Sequence, residues 1–128
     1  MARKAFADKF GTVEEITYDV NSVSALADAN KMMFGSRMVP SYDFSKADVI
    51  VGINADFLGS WISPVEFASQ YSKTRKVGAD KKTMSRHYQF ESLLTLTGSN
   101  ADYRSKIKPS EEASIVNAIY DGLNGGSV

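Results

Sequence analysis

A chain of 128 residues, 43% hydrophobic and 23% charged, suits one globular domain that buries about two-thirds of its unfolded surface. Fifteen basic and fifteen acidic residues cancel, so no overall field draws the chain to nucleic acid or to an anionic membrane. Cysteine is absent and histidine occurs once, which excludes disulfides, thiolate zinc sites and cysteine-ligated iron–sulfur clusters within these residues. No apolar run reaches the roughly 20 residues that span a bilayer, so direct membrane insertion is not expected. Residues 1–6 carry charge but lack the apolar core of an export signal.

Taken in chain order, Ile16-Thr17-Tyr18-Asp19-Val20 reads as a short strand, rich in β-branched and aromatic residues. Asn21-Ser22 offers a helix cap. Leu26, Ala29 and Met33 follow at helical spacing, and Gly35 is the stop. Residues 40–46 form a turn-rich connection. Residues 48–53 are nearly all apolar and predict a central parallel strand covered on both faces. Ser63-Pro64-Val65-Glu66 predicts a capping box with proline at the first helical position. That helix carries an apolar stripe of Val65, Phe67, Ala68 and Tyr71, and Lys73, Arg75 and Lys76 complement its C-terminal dipole.

Residues 77–83 read as a polar loop. Residues 84–91 alternate as a strand, with Arg86, Tyr88 and Phe90 on one face and His87, Gln89 and Glu91 on the other. A Thr97-Gly98-Ser99-Asn100 turn leads into a last short strand over 103–108. Pro109-Ser110-Glu111-Glu112 then opens a final helix with Ile115, Val116, Ile119 and Leu123 on its apolar face. The tail Gly125-Gly126-Ser127-Val128 reads as a trimmed domain edge. Strands alternating with helices predict one domain over residues 1–128, a three-layer Rossmann-like α/β fold with a mainly parallel sheet.

Such a sheet binds ligands beyond the carboxyl ends of its strands, which directs attention to Asn54-Ala55-Asp56-Phe57 and Glu91-Ser92. The three-glycine NAD loop is missing, because only Gly59 follows the first apolar strand at short range. Glu91 could accept hydrogen bonds from a ribose or a guanine edge, or stand as an ordinary carboxylate at a strand end. His87 and Glu91 share a face, yet four residues at ~3.3 Å rise separate their Cα atoms by roughly 13 Å, too far for a direct acid–base pair. His87 therefore reads as structural. Asp43, Asp48 and Asp56 match no calcium loop, and no Gly-x-Ser-x-Gly elbow is present. Lys73, Arg75, Lys76, Lys81 and Lys82 lack interleaved aromatics and read as a solvated loop rather than a nucleic-acid site. Trp61, Phe57 and Phe67 read as core or interface. No catalytic residue and no metal ligand follows from the residues themselves. An unrelated nucleotide-binding module that folds and acts alone also remains open at this level.

Several of these segments, taken together, resemble the molybdopterin oxidoreductase family over roughly residues 16–123. In that family an Ala-Asp-x-Ile strand leads into a Gly-Ala-Asn-Pro turn, and Asn54-Ala55-Asp56-Phe57 stands at that place. A later strand ends in Asp-Pro-Arg followed by Thr-x-Thr and Ala-Asp; here Glu91, Thr95, Thr97, Ala101 and Asp102 fall in step. Pro109-Ser110 replaces a Pro-Gly. Leu93 stands at the place of the motif arginine, Ser92 at that of its proline and Phe57 at that of the turn proline. The wording of 40–44, 55–64, 84–87 and 96–104 is similar to one branch, the iron–sulfur subunit of bacterial alternative complex III, a quinol oxidoreductase.

The resemblance implies an excised piece of a larger subunit on the periplasmic side of the inner membrane. It would be a non-catalytic scaffold domain that has lost the molybdenum cofactor, with iron–sulfur clusters elsewhere in the parent. Its partners would be other domains and subunits of a membrane-associated respiratory complex, with no nucleic acid. The same resemblance allows an alternative in which Asn54, Asp56, Glu91, Thr95 and Thr97 contact the guanine dinucleotide arm of a molybdopterin cofactor.

Overall fold

The computed structural model describes every residue except Met1, Glu15, Thr17, Asp19, Asn21, Ser127 and Val128. It divides into two compact units, residues 1–39 and residues 40–128. The first unit holds helices α1 (Ala2–Phe10) and α2 (Ser24–Phe34). Helix α1 sets Phe6 against Phe10 one turn apart, with ring centroids at 4.6 Å and the planes tilted. Helix α2 ends as expected at Gly35, whose φ of 77° is the left-handed conformation that glycine adopts without a Cβ clash. Ser22 Oγ accepts a hydrogen bond from Ser24 N at 3.2 Å, while Asn21 of the expected cap lies outside the described residues. Of the expected strand at 16–20, Thr17 and Asp19 also lie outside them; Ile16, Tyr18 and Val20 are exposed and belong to no strand.

The second unit is α/β and Rossmann-like. Three strands, β1 (Val49–Ile53), β2 (Arg86–Glu91) and β3 (Tyr103–Lys106), pair in the order β1-β2-β3, all parallel. Between and after them lie α3 (Pro64–Arg75), the short α4 (Leu96–Ser99) and α5 (Glu112–Leu123). Two 3-10 turns, Phe44–Lys46 and Pro109–Glu111, precede β1 and α5. The apolar run at 48–53 is an edge strand rather than a central one: among the described residues it pairs with β2 alone. It is also covered on one face only. Ile50 and Gly52 are buried, whereas Val49 and Val51 on the other face are 60% and 46% exposed.

The core sits between the covered face and α3. Ile50, Phe57, Phe67 and Tyr71 form it, with Phe44, Ala47, Leu58, Trp61 and Ile62 packed around them. Phe57 stacks on Phe44 at 4.4 Å, and Phe67 meets Phe44 edge-on at 5.0 Å. The helix buries Phe67, Tyr71 and Thr74, the i, i+4, i+7 row. Val65 and Ala68 of the expected stripe lie outside that row and are exposed. The expected capping box does not form either, since Ser63 makes no side-chain cap. Glu66 turns instead to Gln70 Nε2 one turn on, and Gln70 Oε1 accepts the Phe44 N–H at 3.0 Å. That bond ties the 3-10 turn to the helix.

Phe67 is 0% exposed and Val65 is 84% exposed on the same helix. Phe67→Ala is therefore expected to lower unfolding free energy by about 3–5 kcal/mol, and Val65→Ala to change it by no more than about 0.5 kcal/mol. Urea unfolding of the two variants checks the orientation of α3, and equal losses would refute it.

Candidate functional site

Strand β2 alternates as the sequence predicts, so His87, Gln89 and Glu91 all point into the covered face. Each is fully buried and each finds a partner on a different element. His87 Nδ1 lies 3.0 Å from the Tyr71 hydroxyl of α3, which also reaches the Asn100 carbonyl at 3.0 Å. Its Nε2 lies 3.3 Å from Gln89 Oε1, and Gln89 Nε2 donates to the Ala55 carbonyl after β1 at 3.3 Å. Gly52 lies opposite Gln89, and a Cβ there would run into the Gln89 amide as it is placed. His87 is thus held by Tyr71 and Gln89, and it makes no bond to Glu91.

The five residues singled out from the sequence, Asn54, Asp56, Glu91, Thr95 and Thr97, gather at the carboxyl ends of β1 and β2. Asn54 takes a left-handed φ of 46° after β1, a conformation asparagine tolerates better than most residues. Its Oδ1 accepts the Ser92 N–H at 2.9 Å, and its Nδ2 donates to Glu112 at the start of α5. Asp56 Oδ1 accepts both the N–H and the hydroxyl of Thr97, at 3.1 and 2.8 Å. Thr97 Oγ1 in turn accepts the Leu58 N–H at 2.9 Å. Glu91 Oε1 accepts the Thr95 N–H at 3.2 Å and Oε2 the Thr95 hydroxyl at 2.6 Å, while Arg104 Nε of β3 closes a salt bridge on Oε1. The Thr95 hydroxyl also caps α4 by accepting the Gly98 N–H at 3.1 Å. What reads in the sequence as a Thr-Gly-Ser-Asn turn is this capped helical turn.

Burial pulls the Glu91 carboxyl upward, and the hydrogen bonds from Thr95 and Arg104 outweigh it, leaving Glu91 below the usual carboxylate range. Its side chain is 1% exposed, so it is a paired buried anion. Sequence reasoning missed two arginines that hold this region. Arg104 lies opposite Gln89 in register and reaches Glu91; its alternation with Lys106 on β3 was the available signal. Arg75 at the end of α3 forks onto Asp102 at 2.6 and 2.7 Å and donates to the Ser85 carbonyl at 2.6 Å. Asp102 also accepts the His87 N–H at 2.8 Å. The Arg75 hydrogen bonds hold Asp102 at about 2 against the opposing effect of burial. Burial depresses His87.

The remaining candidates separate cleanly. Phe57 and Phe67 are core, and Trp61 packs beside them. Lys81 is spent on the Lys73 and Thr74 carbonyls at the end of α3. Among the described residues no group of three or more His, Asp or Glu side chains could hold a metal ion, and no helix is long and apolar enough to cross a membrane. A groove of about 410 Å³ runs along the open edge of β1, between Tyr42, Trp61 and Val51. None of the five candidate residues lines it. No protein-family model matches the chain, and comparison with curated proteins gives no match.

Two pH limbs follow. Asp102 falls from 3.8 to about 2 on folding, so its stabilisation is complete above pH about 4 and is lost as pH drops towards 2. The full contribution is about 2 kcal/mol. Asp102→Asn should lose that amount at neutral pH and flatten this limb in acid unfolding curves. His87 lies below its ordinary 6.5, so the unfolded chain takes up the proton first and stability declines as pH falls below about 6.5. His87→Gln should remove this second limb. A wild-type stability that stayed level from pH 7 to 5 would count against a neutral, buried His87.

Proposed function

We propose that this chain is a non-catalytic scaffold domain of a respiratory oxidoreductase subunit, a relative of the molybdopterin oxidoreductase family that works without a molybdenum cofactor. The observation that carries the reading is apolar surface left uncovered on regular elements. Val49 and Val51 stand exposed on a sheet face, and Val116, Tyr120 and Leu123 stand exposed on α5. Apolar side chains left exposed on regular elements suit surface that another protein covers. It suits a domain that packs against other domains and subunits of a membrane-associated complex on the periplasmic side of a bacterial inner membrane. The absence of cysteine fits a parent whose iron–sulfur clusters sit in another part. Leu93 and Phe57, in place of the family's arginine and proline, fit a layer kept for packing. Phe57 is buried in the core, and Leu93 is exposed.

One observation favours a second reading, in which the domain grips the guanine dinucleotide arm of a molybdopterin cofactor. Ser92 Oγ, beside Asn54 at the end of β2, is buried without a hydrogen-bond partner, as a group awaiting a ligand would be.

Metal and pterin analysis of the purified full-length parent separates the two readings. The scaffold reading expects iron with no molybdenum, tungsten or pterin. Stoichiometric molybdenum or tungsten with pterin would overturn it and make Asn54 and Glu91 cofactor contacts.

A further inference from the structure

A parallel sheet offers its ligand site beyond the carboxyl ends of its strands, and in this chain that place is filled from within. Two carboxylates occupy it. Asp56, from the turn after β1, takes the Thr97 N–H and hydroxyl. Glu91, from the end of β2, takes the Thr95 N–H and hydroxyl and the Arg104 guanidinium. These donors are the groups an incoming anion would need, namely backbone N–H groups, hydroxyls and an arginine. Two glycines complete the arrangement. A Cβ at Gly98 would land on the Glu91 carboxylate, and one at Gly59 on the Asp56 carboxylate. In many nucleotide sites a glycine leaves room for a phosphate to approach the backbone. Here the room left at both positions holds the chain's own acid.

We infer that Asp56 and Glu91 are built-in counter-anions. They latch the β1 turn and the end of β2 to α4 and β3, and they close this end of the sheet to a nucleotide phosphate. The inference rests on the scaffold reading and supplies its mechanism. The donors are present, and internal carboxylates satisfy them. The latch joins four stretches of chain through two carboxylates, so its parts act as units. Asp56 is coupled to Thr97, and Glu91 to Arg104.

The test uses thermal unfolding of the chain with GDP as probe, together with two double-mutant cycles. Wild-type protein should show no change in Tm with GDP up to about 10 mM, because a ligand selective for the native state must raise it. Asp56→Asn and Thr97→Val should each lower Tm by about 4 °C or more, and the double variant by clearly less than their sum. Glu91→Gln with Arg104→Met should behave alike. A saturable rise of Tm with GDP would overturn the inference, as would additive losses in both cycles. Should the variants fail to fold, the GDP titration of the wild type decides alone. Pterin in the parent with no GDP response here would sink the scaffold reading and leave the latch standing. A GDP response here with no pterin in the parent would overturn the latch and leave the scaffold reading standing.

Discussion

The middle strand of the sheet sends three polar side chains into its covered face, and a buried polar group without a partner costs about 1–3 kcal/mol. His87, Gln89 and Glu91 must therefore each be met, and the rest of the unit is arranged to meet them. Tyr71 comes from α3, the Ala55 carbonyl from the turn after β1, and Thr95 and Arg104 from α4 and β3. A slip of β2 by one residue would turn all three outward and bring Arg86, Tyr88 and Phe90 inward. Gly52 suits the same register, because a Cβ there would run into the Gln89 amide as it is placed.

Charge organises the two ends of the sheet in different ways. At the carboxyl end Glu91 is buried and Asp56 half-buried, and their donors come mainly from backbone and hydroxyls. At the other end Arg75 and Asp102 form a fork whose side chains remain 17% and 23% exposed. Arg75 also lies over the Tyr71 ring at 5.3 Å, and the Asp102 N–H donates to the His87 carbonyl at 3.0 Å. This pair joins α3, β2 and the start of β3 in one contact. Such geometry is bidentate and partly screened from water, the setting in which an ion pair contributes measurably.

The two faces of the sheet tell different stories about context. One carries aromatic packing, with the Phe44 ring against both Phe57 and Phe67. The opposite face bears Val49, Val51 and a stacked Tyr88–Tyr103 pair at 4.9 Å, and β1 keeps an open edge with no lysine, proline or bulge to blunt it. These exposed features are what the proposed packing against a larger assembly rests on.

The alternation of residues 84–91 was legible in the sequence, because a period of two forces His87, Gln89 and Glu91 to one side whatever surrounds them. The α/β class with a mainly parallel sheet followed from strands interleaved with helices, and the end of α2 and the start of α3 from Gly35 and Pro64, whose backbone restrictions are local. The gathering of Asn54, Asp56 and Glu91 followed from where a parallel sheet ends its strands, whereas Thr95 and Thr97 were expected there only through the family resemblance. Whether β1 lies at the centre or the edge was not legible. An apolar run reports low polarity on both faces, not the presence of a neighbour to cover them. The capping box at Ser63 failed for a related reason: Glu66 had a competing partner in Gln70, which only the approach of Phe44 brings into play. The pairing of Glu91 with Arg104 and of Arg75 with Asp102 was likewise decided by tertiary structure, since charges 13 and 27 residues apart meet only once the sheet register is set.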